Sequence, residues 1–298
     1  MKRIVFSFLA LLFCVVASAD ERHPRPPILG ISRVGFYSTN IAAARGFYSQ
    51  VLRPEGACLW CEQTPRSPLG IMLSLNQMLI LSAPQETPPS NLLSEIDFAV
   101  EDLKVLKSYL AANKIAFDED KKNYFVTVSD PEGHRIGFLE QQAHATQGLP
   151  GIKAMQLIHA GFVVRDRGAE DKFYKDLLGF HVYWHGGMKD GEDNWVDMQV
   201  PDGTDWIEYM LGVSPNASHK TLGVMNHIAL GVPDIQAAKQ QLIKNGWKGT
   251  EEPKIGRDGK WQLNLYDPDE TRVELMEFKP TKEPCCSPYT GPHPGPPQ

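Results

Sequence analysis

Two stretches of the chain repeat each other at an offset of 126 positions, and two more at an offset of 132. Residues 31–52 (ISRVGFYSTNIAAARGFYSQVL) align with residues 157–178 (LIHAGFVVRDRGAEDKFYKDLL), so Gly35-Phe36 meets Gly161-Phe162 and Phe47-Tyr48 meets Phe173-Tyr174. Residues 95–110 (EIDFAVEDLKVLKSYL) align with residues 227–242 (HIALGVPDIQAAKQQL). Each stretch opens on a β-prone apolar run and passes into a helical pattern. Asp102 and Asp234 stand where N-caps belong. Two Asp-Pro turns, Asp130-Pro131-Glu132-Gly133 and Asp267-Pro268-Asp269-Glu270, each lead into a last strand. Internal repetition of this kind restricts the fold more than any single motif. It predicts four units over 28–83, 93–142, 155–212 and 224–278, each a strand, a helix and two or three short strands. The segment 143–151 (AHATQGLPG) divides them two and two.

Both ends fall outside this pattern. Residues 1–19 (MKRIVFSFLALLFCVVASA) carry Lys2 and Arg3, an apolar run over 4–16, and Ala17-Ser18-Ala19. They read as a signal peptide cleaved after Ala19, because the run is shorter than the roughly 20 residues of a membrane-spanning helix. The expected location is therefore outside the cytoplasm, in a periplasm or secreted, with no stable membrane insertion. Residues 279–298 contain seven prolines and are expected to be extended and poorly packed, as is the stretch 20–27. Export bears on the cysteines. With Cys14 removed, Cys58, Cys61, Cys285 and Cys286 remain, and an oxidising compartment favours disulfides over zinc. At least one bond tying the tail to the first domain is expected, with three pairings open.

The Phe-Tyr-x-x-x-Leu-Gly of residues 173–179 (FYKDLLG) and the strand opening at 226–230 (NHIAL) resemble the vicinal oxygen chelate superfamily. That group includes glyoxalase I, extradiol dioxygenases, and fosfomycin and bleomycin resistance proteins. The resemblance implies an α+β fold: four βαβββ units forming two tandem half-barrel domains, 28–142 and 152–278. Each domain would curl around the position of a divalent metal.

The candidate ligands lie in the second domain. Glu208 follows His159 by 49 positions, and Glu274 follows His227 by 47. Units three and four therefore offer the same His-then-Glu pair at nearly equal internal positions. Two imidazoles and two carboxylates suit one divalent ion, Zn, Ni, Co, Mn or Fe(II), and the absence of thiolate argues against a structural zinc cage. Both glutamates stand in otherwise apolar runs (WIEYM and VELM), where an ionised carboxylate needs a partner or a metal. The first domain lacks the set. His159 maps to Arg33, His227 to Glu95, Glu274 to Gly137, and Glu208 falls near Ile80, which leaves Arg33 and Glu95 positioned to form an ion pair. His181 and His185 are read as surface residues, Asn216-Ala217-Ser218 as a glycosylation sequon and Gly186-Gly187 as a turn.

Three functions fit. A glyoxalase-I-like lyase or isomerase would bind a small substrate through two vicinal oxygens, with Glu274, or else Glu208, as the catalytic base. An Fe(II) extradiol dioxygenase would use His159, His227 and Glu274, with Tyr266 the only nearby tyrosine for such a site. A binding protein would sequester a small molecule without turnover. An exported enzyme of the first type would act on something other than a glutathione adduct, since glutathione is cytosolic. Nucleic acid is excluded as a partner by composition, because 30 Lys+Arg against 36 Asp+Glu leave a net charge of −6.

Overall fold

The structure is a computed structural model that describes residues 24–52, 58–59, 68–74, 76–84, 87–120, 124–141 and 155–296. Residues 1–19, the dividing segment 143–151 and Cys61 lie outside them.

The four units each form a βαβββ run. The first contains β1 (Ile28–Tyr37), α1 (Ile41–Gly46), β2 (Cys58–Leu59), β3 (Leu69–Met72) and β4 (Met78–Ser82). The second contains β5 (Leu93–Val100), α2 (Leu103–Ala112), β6 (Asp118–Asp120), β7 (Phe125–Ser129) and β8 (Arg135–Glu140). The third contains β9 (Gln156–Val163), α3 (Arg167–Asp171), β10 (His181–Gly186), β11 (Trp195–Gln199) and β12 (Trp206–Met210). A linking helix α4 (His219–Met225) then leads to β13 (His227–Val232), α5 (Ile235–Lys244), β14 (Lys254–Ile255), β15 (Trp261–Tyr266) and β16 (Arg272–Glu277). Helices α1 and α3 each continue as a π-helical turn, which carries Phe47-Tyr48 in one and Phe173-Tyr174 in the other. Asp102 and Asp234 cap α2 and α5 by accepting N–H bonds from the first turn, as their positions predict.

Units pair within each half of the chain. The two mixed sheets run β2-β3-β4-β1-β5-β8-β7-β6 and β10-β11-β12-β9-β13-β16-β15-β14. In each, the first strands of two units run antiparallel at the centre, flanked by the parallel last strand of each unit. The two sheets curl as half-barrels, the architecture that the family resemblance implied.

The halves dock through a device used twice. Asp130 Oδ1 accepts the N–H groups of Glu132 and His134, which fixes the turn, and its Oδ2 accepts Tyr174 O–H at 3.1 Å from the other half. Asp267 does the same with Asp269 and Thr271, and takes Tyr48 O–H at 3.0 Å. Both tyrosines are fully buried, so each phenol needs its acceptor. Beside each turn, Glu132 accepts the N–H groups of Arg165 and Asp166, and Asp269 those of Thr39. Gln77 bridges the halves directly, exchanging bonds of 2.7 and 2.8 Å with the backbone of Leu157.

Two expectations about the tail are corrected. Residues 279–296 are packed and hydrogen-bonded. Thr281 N–H reaches Gly259 O, Cys285 N–H reaches Arg257 O, and Thr290 N–H reaches Tyr183 O. The prolines exclude regular structure but not a strap held by isolated bonds to edges that lack a partner strand. Cys285 and Cys286 are bonded to each other, so neither ties the tail to the first domain. At the other end, Pro26 is buried and Arg25 pairs with Asp202 at 2.8 Å, so residues 24–27 are not loose either.

If the tyrosine–turn pairs hold the halves together, Tyr48→Phe and Tyr174→Phe should each cost about 1 kcal/mol of unfolding free energy in urea titrations. The double variant should cost close to the sum, because the two pairs share no partner.

Candidate metal site

The register of the central strands assembles the four predicted ligands. His159 on β9 lies opposite Ala229 on β13, and His227 on β13 lies opposite Gly161 on β9. Strand β12 sets Trp206 beside His159 and Glu208 beside Gly161, while β16 sets Glu274 beside Ala229. Side chains opposite one another share a sheet face. The result is two rows on one face: Glu208–Gly161–His227, and Trp206–His159–Ala229–Glu274. The small residues at Gly161 and Ala229 leave the space between the ligands open. A Cβ on Gly161 would fall 2.0 Å from the His227 ring, so that position must be glycine for His227 to enter the site.

The donor atoms converge. His227 Nε2 is 3.1 Å from both His159 Nε2 and Glu208 Oε2. His159 Nε2 is 3.7 Å from Glu274 Oε2 and 3.8 Å from Glu208 Oε2, and His227 Nε2 is 4.0 Å from Glu274 Oε2. An octahedral ion with bonds of about 2.1 Å has donors about 3.0 Å apart when adjacent and about 4.2 Å apart when opposite. All five separations fall in that span.

Protonation fits as well. Burial pushes both imidazoles well below their ordinary pKa, so each offers a lone pair at neutral pH. His227 Nδ1 lies 3.0 Å from Met225 O, which assigns its proton to Nδ1 and leaves Nε2 as an acceptor. A shared cation would satisfy two imidazole nitrogens that face each other at 3.1 Å. Burial raises Glu274 to about 7, against the pull of Arg272. The Arg272 guanidinium reaches His227 Nε2 at 2.5 Å and lies 3.9 Å from Glu208. Another group of donors, from Asp130, His134 and Glu170, lies within 4.8 Å of one another. There Asp130 is already engaged by two backbone N–H groups, His134 Nδ1 and Tyr174 O–H.

Three of the four, His159, Glu208 and Glu274, line a cavity of about 470 Å³. Trp184, Trp195, Trp206 and Met210 supply apolar wall, and Lys254 and Arg257 supply positive charge. Met188 and Tyr266, both exposed, line the same cavity. His181 and His185 do not line it, and His185 pairs instead with Asp193 at 2.7 Å. Asn216 is exposed, as a sequon requires, and Gly186 ends β10.

Three residues near the site were not foreseen. Asp197 lies directly opposite Glu208 on β11, is buried, and lines the cavity. Its signal was present in the sequence, since it is the lone charge in the apolar run WVDMQ, as Glu208 is in WIEYM. Lys260 is fully buried, and its Nζ has no hydrogen bond. It lies 4.3 Å from the Trp206 ring, 5.0 Å from Tyr289 and 5.2 Å from Tyr183. Burial lowers its pKa, opposed by buried Asp258 and Asp197. Tyr289 belongs to the tail, which its proline content leads one to expect to be poorly packed.

The first sheet repeats the frame without the ligands. Arg33, Glu95 and Asp97 occupy the matching positions, and Gly137 stands where Glu274 does. Arg33 pairs with Glu95 at 3.6 Å, as expected, and also with the fully buried Asp97. Asp97 sits at the Ala229 position, so the two rows are closed by ion pairs.

Residues 156–275 match the family described as Glyoxalase/Bleomycin resistance protein/Dioxygenase superfamily. The second half of the chain, over residues 156–275, is a domain of this vicinal oxygen chelate superfamily. A lactoylglutathione lyase of Haemophilus influenzae is 29% identical over 133 residues, which is 43% of this chain and 96% of that relative. Among solved structures, a variant of homoprotocatechuate 2,3-dioxygenase from Brevibacterium fuscum matches with a TM-score of 0.63 at 19% identity, over 85% of this chain and 72% of that one. The same enzyme in complex with 3,4-dihydroxyphenylacetate matches with a TM-score of 0.62, again at 19% identity, over 85% of this chain and 82% of its own. At that identity the likeness shows the fold.

Two measurements check the site. Gly161→Ala should displace His227 and abolish stoichiometric Zn(II) binding in equilibrium dialysis. Glu274 holds its proton more tightly in the metal-free fold than an ordinary carboxyl near 4.5. Its contribution to stability is therefore present at low pH and lost as pH rises toward 7. Metal must displace that proton, so Zn(II) affinity should fall about tenfold per pH unit below 7 and level off above it.

Proposed function

We propose that the chain is a divalent-metal-dependent enzyme of the glyoxalase-I type, a lyase or isomerase of a small substrate with two vicinal oxygens. The observation that carries this reading is the second carboxylate. His159, Glu208, His227 and Glu274 would hold one ion of the series Zn, Ni, Co, Mn or Fe(II), and leave positions for the substrate. The bound ion would supply Lewis-acid polarisation of the substrate oxygens. Glu274 would take the proton from the carbon beside the polarised carbonyl and return it to the neighbouring carbon. Glu208 is the other candidate for that role. The similarity to a lactoylglutathione lyase supports this choice of reaction.

A second reading, an Fe(II) extradiol dioxygenase, is favoured by the three tryptophans lining the cavity, which suit a planar ring. A protein that binds a small molecule without turnover is the third. We propose further that residues 1–19 direct export and that the domains span 28–142 and 152–278.

Metal analysis and two assays separate the readings. The lyase reading expects one divalent ion per chain, turnover of hemithioacetals of small thiols, and no oxygen uptake with catechols. Glu274→Gln should lower kcat by about 10²–10⁴-fold. Oxygen uptake with catechols would instead establish the dioxygenase. A natively purified protein without stoichiometric metal would contradict both enzyme readings.

A further inference from the structure

Among the described residues, no strand lies beyond β10 and β14, the two ends of the second sheet. The tail spans between these ends. On one side it is fixed to the turn that joins β14 to β15, through Thr281 N–H to Gly259 O, Cys285 N–H to Arg257 O, and Tyr289 O–H to Asp258 O. On the other it is fixed to β10. Ser287 Oγ accepts His185 N–H at 2.9 Å and donates to His185 O at 3.0 Å, and Thr290 N–H bonds Tyr183 O at 3.0 Å. The Cys285–Cys286 disulfide lies between these two sets of bonds.

The disulfide touches residues of the cavity wall. Trp184 Nε1 donates to Cys285 O at 3.0 Å, and Arg257 donates to Cys286 Sγ at 3.6 Å. Both Trp184 and Arg257 line the cavity over the quartet. Gly186 permits the approach, since a Cβ there would fall 3.1 Å from Cys286 Sγ. Cys286 has a φ of +75°, a conformation that residues with a side chain rarely adopt. The eight-membered ring closed by the two sulfurs holds that conformation. Cys286 is an exposed residue, on the solvent side of the pair.

We propose that Cys285–Cys286 is a thiol–disulfide modification site whose oxidation state sets how firmly the tail closes the second sheet over the candidate metal site. The reductant is a dithiol. Its thiolate attacks Cys286 Sγ, the Sγ–Sγ bond breaks, and the electron pair leaves on Cys285 Sγ, which takes a proton. The reagent's second thiol then attacks its own sulfur in the mixed disulfide. It departs as a cyclic disulfide and leaves Cys286 as a thiolate beside the Arg257 guanidinium. Two electrons pass from the dithiol to the protein; one of the dithiol's two protons goes to Cys285 and the other to solvent. With the ring open, nothing covalent holds Cys286 at positive φ. The turn relaxes, and the bonds from Trp184 to Cys285 and from His185 to Ser287 are the first to be lost.

Hydrogen exchange on the full chain, with and without 10 mM dithiothreitol (~10 mM, a working excess over protein), tests this. The probe is the His185 amide, with alkylation and peptide mapping to report the sulfur state. The expected result is a 285–286 linkage in air-oxidised protein, two alkylated cysteines after reduction, and His185 exchange about tenfold faster in the reduced form. Zn(II) stoichiometry, measured after the reductant is removed and the freed thiols are alkylated, should be the same as in the oxidised protein, which keeps this test independent of the reading of the metal site. Cys285→Ser/Cys286→Ser should exchange fast without reductant; if that variant does not fold, the wild-type comparison decides alone. Equal His185 protection in both states would overturn the proposal, as would a pair that dithiothreitol leaves intact or a linkage to Cys58 or Cys61.

Discussion

Across the centre of the second sheet, His159 lies opposite Ala229 and His227 opposite Gly161, and the geometry of the site depends on that register. A slip of one residue would turn both imidazoles to the other face. Gly161 and Ala229 matter as much as the histidines they oppose. They clear the floor between four donors, and Gly161 admits the His227 ring at a distance that no Cβ tolerates. The parallel strands on either side then deliver one carboxylate each, at positions fixed by hydrogen bonding rather than by side-chain preference.

The first sheet shows what the same register does with other residues. Arg33, Glu95 and Asp97 fill the rows with charge, and Arg33 also lies over the Phe125 ring at 4.7 Å. Burial raises Asp97 to about 7, with Glu95 adding to the rise and Arg33 opposing it. The carboxylate there is compensated by a guanidinium within the rows, where the second sheet brings together two imidazoles and two carboxylates with Arg272 beside His227 and Glu208. Both arrangements answer one physical demand, that charge removed from water be paired or bound. What the halves share is the docking device, a turn aspartate that takes a buried tyrosine from the opposite half.

Much of this was legible in the sequence, for identifiable reasons. The repeat exposed the βαβββ units because each must bury one apolar face, and that demand recurs in the pattern of each unit. The quartet was legible because equal spacing within two related units places residues at equal positions on paired strands. Asp197 carried the same signal and was missed because its counterpart in the fourth unit, opposite Glu274, is Asn264 and not a carboxylate. Lys260 was not legible. Its burial depends on Tyr183 and Trp206 from one unit and Tyr289 from the tail, and no local pattern joins positions so far apart. The tail was misread for a related reason. Proline content forbids a regular strand, but the bonds that hold residues 281–290 go to edges that only the folded sheet creates.

The central claim is that four side chains of the second sheet hold a single ion. X-ray absorption at the metal edge of the loaded protein tests it most directly, because it reads the donor set itself. The account requires a first shell of nitrogen and oxygen only, with the multiple-scattering signature of two imidazoles, reduced to one in His227→Ala. A shell that contains sulfur, or a spectrum unchanged in His227→Ala, would contradict it.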